Sequence, residues 1–208
     1  MAELIIDFET LGQSVMKCPI LNCSMFVFDR ERFKSKTNPY TYDEILKNCV
    51  TLKLNVGEQV KNGYKIEPGT LDFWSKVNDE AKKQLVPSKN DLTYAEFCDK
   101  MMQYLQLEKI TYWWSRSNTF DPILLWRIFE DASKLDDLNS KLKFWKIRDV
   151  RTYIDAKTDF SLGKNGFVPI DLHTWSEKFK EHDSRHDITG DILRLQKITR
   201  IEEGLDED

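Results

Sequence analysis

Four carboxylates and one histidine stand where their types and spacing can do chemistry. The stretch Glu3-Leu4-Ile5-Ile6-Asp7-Phe8-Glu9-Thr10 alternates as a strand does. Leu4, Ile6 and Phe8 then share one face, and Ile5, Asp7 and Glu9 the other. Two carboxylates side by side at the end of an apolar strand repel, and they resist desolvation unless a cation lies between them. Mg²⁺ and Mn²⁺ prefer such hard oxygen ligands. The plainer reading of this pair is an edge strand running into solvent. Further along, Asp121 precedes Pro122 and an apolar run; standing alone, it reads as a helix cap. Near the C-terminus His182 lies five residues before Asp187, which itself precedes Ile188 of an apolar helical stripe. A histidine can take a proton near neutral pH, although a lone one ahead of a helix is more often structural or exposed.

The elements that would position these groups follow from periodicity and punctuation. After the first strand, Ile20–Asp29 reads as a second and Asn48–Leu54 as a third, with a short helix at Asp43–Lys47 between them. Three strands before any long helix suggest an antiparallel meander opening a mixed sheet. Thr70 is placed to cap a helix through Trp74, and Asn78-Asp79-Glu80 opens another through Leu85. Thr93 and Glu96 have capping-box spacing, and Phe97, Met101, Tyr104 and Leu105 form the stripe behind them. Ile110–Ser115 reads as a strand leading to Asp121 and its helix. Lys143–Asp149 reads as a further strand, followed by a helix over Arg151–Ala156. Residues 157–168 read as loop, with Gly163 and Gly166, and 171–180 as mixed. The last helix spans Ser184–Ile201, with Ile188, Ile192, Leu195 and Ile198 inward. One domain over residues 1–201 is expected, with the acidic tail 202–208 frayed.

With 208 residues, 40% hydrophobic and 32% charged, the chain has the composition of a soluble globular domain. No apolar run is long enough to span a bilayer, and the N-terminus lacks signal-peptide zoning. A cytoplasmic protein is expected. Cys18, Cys23, Cys49 and Cys98 form no CxxC pair and no zinc spacing with His173, His182 or His186; they read as reduced thiols. A net charge of −4 argues against coating duplex DNA through bulk charge. It does not argue against gripping one strand end, because an acid cluster subtracts about four charges until cations bind.

Asp-x-Glu on the first strand, Asn-x-Phe-Asp at a strand-to-helix junction and His-x-x-x-x-Asp on the last helix occur here in that order. Each is weak alone, but the ordered set resembles the DEDDh group of 3′–5′ exonucleases, the DnaQ-like branch of the ribonuclease H-like superfamily. The resemblance runs from Asp7 to Asp191. The strings Leu4 to Thr10, Thr70 to Trp74, Phe120 to Leu124, Phe144 to Thr152 and His182 to Asp187 are similar to phage members of that group. The segment around Trp145 also resembles bacterial exoribonuclease domains. Ser117 before Asn118 departs from the usual His-Asn form of the second motif.

The resemblance implies an α/β, ribonuclease H-like fold, a central mixed sheet flanked by helices. It implies two divalent ions, Mg²⁺ or Mn²⁺, held by Asp7, Glu9, Asp121 and Asp187, with His182 as general base and nucleoside 5′-monophosphates as products. His186, next to Asp187 in sequence, points about 100° away on a helix and is expected in a supporting or surface place. Asp183 and Asp191 are the acids most easily mistaken for ligands. Thr10 and Leu11 follow the acid strand where the group holds the 3′-terminal nucleotide. Phe73 and Trp74 are placed to stack a base or to pack a helix start. Asn118 is a further substrate contact, and Arg116 and Arg148 are candidate phosphate contacts. The expected substrate is the 3′ end of single-stranded nucleic acid, DNA before RNA, with no membrane and no obligate protein partner. An exoribonuclease or oligoribonuclease is the first alternative, and a catalytically silent strand-end-binding module the second.

Overall fold

A computed structural model describes residues 1–106, 108–158 and 178–206 of the chain. Its strands are β1 (Ala2–Thr10), β2 (Ile20–Asp29), β3 (Val50–Lys53), β4 (Trp113–Ser115) and β5 (Ile147–Asp149). They form one sheet in the order β3-β2-β1-β4-β5. β1, β2 and β3 pair antiparallel in succession, as the meander predicts, whereas β4 runs parallel to β1 and β5 parallel to β4. The sheet is therefore mixed, with β1 at its centre. Solved structures described below share this architecture, and the expected fold class holds.

The helices among the described residues are α1 (Tyr42–Asn48), α2 (Val56–Lys61), α3 (Pro68–Lys76), α4 (Asp79–Lys82), α5 (Tyr94–Leu105), α6 (Asp121–Asp131), α7 (Leu135–Lys141), α8 (Val150–Lys157) and α9 (Ser184–Glu202). The alternation of β1 divides the core between them. Leu4, Ile6 and Phe8 pack with Phe97 and Met101 of α5, Leu124 and Ile128 of α6 and Leu138 of α7. Ile5 packs on the other face with Val150 and Ile154 of α8 and with Ile188, Ile192 and Leu195 of α9. Asp7 and Glu9 continue the Ile5 face, so they extend toward α9. That consequence of strand geometry brings acids from opposite ends of the chain together.

Two contacts fix where α9 begins. The Asp183 carboxylate caps it, accepting from the Arg185 amide at 3.1 Å. The Ser184 hydroxyl lies 2.7 Å from Ser24 Oγ and donates to Asn22 Oδ1 at 2.8 Å, which pins the first turn onto β2. Asp187 follows one turn further on.

Several expected boundaries move. The predicted third strand starts only at Val50, because Asn48 closes α1. The strand expected at Ile110–Ser115 shortens to Trp113–Ser115, although the Thr111 amide and Tyr112 carbonyl still bond β1. The strand expected from Lys143 begins at Ile147. Phe144–Lys146 instead form a 3-10 turn that leaves Phe144 and Trp145 exposed, so apolar content misled there. Thr70 is no cap: α3 opens at Pro68, whose missing N–H costs nothing in a first turn. Neither is Asp121, which is the first residue of α6 with Phe120 before it. The capping box at Thr93 and Glu96 forms as expected. The short helices α2 and α7 carry little periodicity and were not anticipated. Most of the loop expected at 157–168 and of the segment 171–180 lies outside the described residues. In the acidic tail, Glu203 pairs with Lys34 at 2.7 Å and Asp206 with Arg200 at 3.0 Å. The four cysteines are free.

Ile192, wholly buried under the sheet, is central to seating α9. Ile192→Ala is expected to lower unfolding free energy by about 2–5 kcal/mol through lost burial and the cavity left behind. A urea denaturation series checks this; a change below about 1 kcal/mol would contradict the packing described.

Candidate active site

The acid cluster is built from β1 and α9. One carboxylate oxygen each from Asp7, Glu9 and Asp187 lies within 4.8 Å of the others. Asp121 stands beside this trio: its Oδ1 accepts from the Phe8 amide at 3.1 Å, which ties the start of α6 to β1 between the two strand acids. Asp7, Glu9, Asp121 and Asp187 line one cleft of about 670 Å³, which His182 and Asp191 also border.

Electrostatics follow from burial. Desolvation pushes the Asp7 carboxyl well above the ordinary carboxylate range, and the charges of Asp121, Asp187 and Glu9 push it further. Glu9 is raised in the same way by desolvation, then by Asp187 and Asp121. Burial lifts Asp121 to about 7. Burial, followed by the neighbouring Asp191 charge, lifts Asp187 to about 8. Such a set is unfavourable without cations among the carboxylates. Its donors are all hard oxygens, which fits Mg²⁺ or Mn²⁺ and not a soft metal.

The other acids near α9 are already matched. Asp183 is gripped by the Arg185 guanidinium at 2.7 and 3.0 Å; burial raises its carboxyl, but the Arg185 hydrogen bond and charge outweigh this and hold it below the ordinary range. Asp191 accepts from Arg116 Nε at 2.9 Å and from Arg194 Nη1 at 3.0 Å. Neither belongs to the trio.

His182 borders the acid cleft and also a second cavity of about 450 Å³ that Thr10, Phe73 and Trp74 line. Its backbone is left-handed, with φ of 67°, a conformation that costs a non-glycine residue about 1–2 kcal/mol. Gln84 holds it there by donating Nε2 to the His182 carbonyl at 2.8 Å, and Asn78 donates to the Glu181 carbonyl at 3.3 Å. The ring meets Phe73 edge-on at 4.7 Å. The strained backbone thus sets the His182 ring beside the half-buried acid cluster.

The remaining expected site residues divide. Phe73 is 41% exposed and faces the second cavity, as a base contact requires. Trp74 is 1% exposed and donates Nε1 to the Thr10 carbonyl at 3.0 Å; it packs with Leu11, Leu21 and Ala81 and stacks no base. Leu11 is buried in the same cluster, with its amide on the Pro19 carbonyl and its carbonyl on the Glu67 amide, so it does not face the cavity. Thr10 lines that cavity, with Oγ1 donating to the Gly12 carbonyl. Arg116 borders the acid cleft but clasps Asp191. Asn118 is exposed outside both cavities, its amide on Asp149 at 3.0 Å. Arg148 lies over the Tyr112 ring at 4.1 Å, away from both. His186 is 5% exposed and bonded to the Tyr42 hydroxyl, so it is no surface residue. The sequence reading missed Arg151, Arg194 and Phe120 in the cleft walls. Of these, only Arg194 carried a signal, its i,i+3 spacing from Asp191.

Comparison with known proteins converges on the same chemistry. An exodeoxyribonuclease of Enterobacteria phage T4 is 28% identical over 224 residues, covering 100% of this chain and 93% of the phage protein. The structure of E. coli exonuclease I with a dA16 oligonucleotide matches with a TM-score of 0.61 and 16% identity, covering 99% of this chain and 42% of that one. The complex with dT13 matches at 0.58 and 14%, over 97% and 41%. This chain therefore spans less than half the length of the exonuclease I chains, and at such identities the likeness concerns the fold. Exonucleases of this fold use divalent metals, and a zinc-bound form of the E. coli enzyme is among the similar structures. The family match and the phage relative define a 3′–5′ exonuclease, on a fold shared with E. coli exonuclease I. More narrowly, the chain belongs to the 3′-5′ exoribonuclease Rv2179c-like domain family, whose model matches residues 2–184.

The raised carboxyls set a pH dependence. In the fold, Asp121 and Asp187 keep protons that the unfolded chain has released above about 4. The folded state then binds more protons than the unfolded one, and unfolding free energy falls as pH rises. This contribution is fully present below the ordinary aspartate value of 3.8 and is lost as pH rises through about 7 and about 8. In EDTA the melting temperature is expected to fall between pH 5 and pH 8, with Mn²⁺ restoring most of it at pH 8 and little at pH 5. Asp7→Asn, which removes one repelling charge, is expected to melt higher than the parent in EDTA at pH 8 and to gain less from Mn²⁺. Equal melting of the parent at both pH values in EDTA would contradict the site description.

Proposed function

We infer that this chain hydrolyses single-stranded DNA from the 3′ end, releasing nucleoside 5′-monophosphates, with His182 as general base and two divalent ions, Mg²⁺ or Mn²⁺, in the acid cluster. The observation that carries this reading is the meeting of Asp7, Glu9 and Asp187 within 4.8 Å, half-buried in a cleft that His182 borders. Asp121, on the amide between the two strand acids, completes the ligand set. The whole of residues 1–201 acts as one exonuclease domain.

When bound, the ions supply Lewis acidity at the scissile phosphate and make water a stronger nucleophile near neutral pH. The chain's own residues do the rest. Asp7, Glu9, Asp121 and Asp187 would hold the ions through their carboxylate oxygens, their protons passing to solvent as the cations enter. His182, held by Gln84, takes the proton from the attacking water. Thr10 and Phe73, in the adjoining cavity, receive the 3′-terminal nucleotide, with the Phe73 ring against its base. Arg116 is placed at the cleft wall to meet the phosphate from beside Asp191. Among the described residues no helix is long and apolar enough to cross a membrane, which accords with action on nucleic acid in the cytoplasm, the host's if the chain is phage-encoded.

The name of the T4 relative and the oligodeoxynucleotides in the exonuclease I structures support DNA. The family description supports RNA as the second reading. DNA stands first because the phage relative that matches the whole chain is an exodeoxyribonuclease.

Matched DNA and RNA oligomers labelled at the 5′ end, incubated in Mg²⁺ or Mn²⁺, are expected to give ladders shortening from the 3′ end, faster for DNA. A ladder from the 5′ end would overturn the polarity, and faster RNA cleavage would reverse the sugar preference. His182→Ala is expected to lower kcat about 10²- to 10⁴-fold while leaving Mn²⁺ binding by calorimetry unchanged. An unaffected kcat would remove His182 from the mechanism.

A further inference from the structure

The 3-10 turn before β5 carries a feature that the acid cleft does not use. Phe144 is 63% and Trp145 62% exposed, side by side with ring centroids 4.9 Å apart and edge-to-face. Exposed aromatics of this size are normally covered by something. Their turn is not loose. Trp113 Nε1 donates to the Lys143 carbonyl at 2.9 Å, and the Lys146 amide closes the turn on the same carbonyl at 3.0 Å. Arg148 Nη1 donates to the Ile147 carbonyl at 2.8 Å, while its guanidinium lies over Tyr112. The two rings are thus presented on a preorganised support.

Charge identifies the occupant. Although the chain carries net −4, Lys143, Lys146, Arg148 and Arg151 against Asp149 leave +3 over nine residues. Both Asp149 oxygens are already engaged, by the Asn118 amide at 3.0 Å and the Thr152 amide at 2.8 Å. Aromatic faces interleaved with cations suit a polyanion with stackable bases. A second copy of this chain fits poorly, since a two-fold contact would set the cationic track against itself.

Position completes the argument. β5 is the sheet's edge strand, and Arg151, just past its end, lines the acid cleft. Ile147 pairs with Trp113, which pairs with Leu4, three residues before Asp7. Phe144 lies three residues of 3-10 turn before Ile147, so the rings stand on the order of 16 Å from the acids along the chain path. A stacked single strand at 3.4 Å per nucleotide covers that in about five nucleotides. We propose that Phe144 and Trp145, with Lys143, Lys146 and Arg148, form a platform that holds single-stranded nucleic acid on the 5′ side of the end being cut. This rests on the single-stranded reading of the substrate and extends it to strand length.

The test uses the full chain and the double variant Phe144→Ala/Trp145→Ala on 4-mers and 16-mers of thymidylate or uridylate, whichever the parent degrades faster. Loss of one stacked base is expected to raise KM for the 16-mer roughly 5- to 100-fold, with kcat unchanged and no change in KM for the 4-mer. An unchanged KM on the 16-mer, or an equal rise on both lengths, overturns the proposal. Lys143→Glu/Lys146→Glu, which keeps both rings, is expected to raise the 16-mer KM and flatten its salt dependence; failure to do so counts against the platform. Binding of labelled 16-mers in EDTA by fluorescence anisotropy separates this proposal from the activity itself. If the parent degrades neither polymer, the single-strand reading fails, while weaker binding by the aromatic variant still supports the platform and equal binding overturns it. A parent that sediments as a dimer and an aromatic variant that sediments as a monomer would assign the rings to self-association and overturn it too.

Discussion

Mutual repulsion among crowded, half-buried carboxylates is the constraint on which this structure turns. Asp7, Glu9 and Asp187 share a small volume, with the buried Asp121 beside them, and partial burial removes much of the water that would otherwise screen them. A fold left to maximise stability would separate such groups or give each a guanidinium, as it does for Asp183 and Asp191. Here the ion-paired acids surround the cluster, and the cluster itself is left to protons or added cations. Stability is given up locally at the proposed cation site.

Holding the acids together therefore falls to contacts that carry no charge of their own. The Ile5 face of β1 seats α9 through Ile188, Ile192 and Leu195, and Ser184 locks its first turn to Ser24 and Asn22 of β2. The Phe8 amide positions Asp121. Arg116 and Arg194 add positive charge nearby while committed to Asp191. Gly190 fits this arrangement: a Cβ there would meet Arg194 Nη1 at 2.9 Å, so a residue that weakens a helix interior by about 1 kcal/mol is accommodated in α9.

The sequence made legible what depends on local spacing. Alternation in β1 put Asp7 and Glu9 on one face, and the stripe Ile188, Ile192, Leu195 and Ile198 put Asp187 at the sheet side of its helix. What stayed hidden depends on partners distant in the chain. Trp74 looked fit for stacking because its partner, the Thr10 carbonyl, is 64 residues away. Leu11 reads as a nucleotide contact and His186 as a supporting or surface residue for the same reason: Trp74 and Tyr42, which meet them, come from other elements. Asp121 resembled a cap because Asp-Pro at a helix start is local, whereas its bond to Phe8 is not. Phe144 and Trp145 read as strand because apolar residues next to β5 give no sign that the chain turns outward there.

The most direct test of the central claim is anomalous diffraction from crystals soaked in Mn²⁺ above pH 7. The account predicts two peaks in the acid cleft, in contact with Asp7, Glu9 and Asp187 and with Asp121 reaching one of them. A cleft without anomalous density, or carboxylates found separated or paired with arginine side chains in its place, would contradict it.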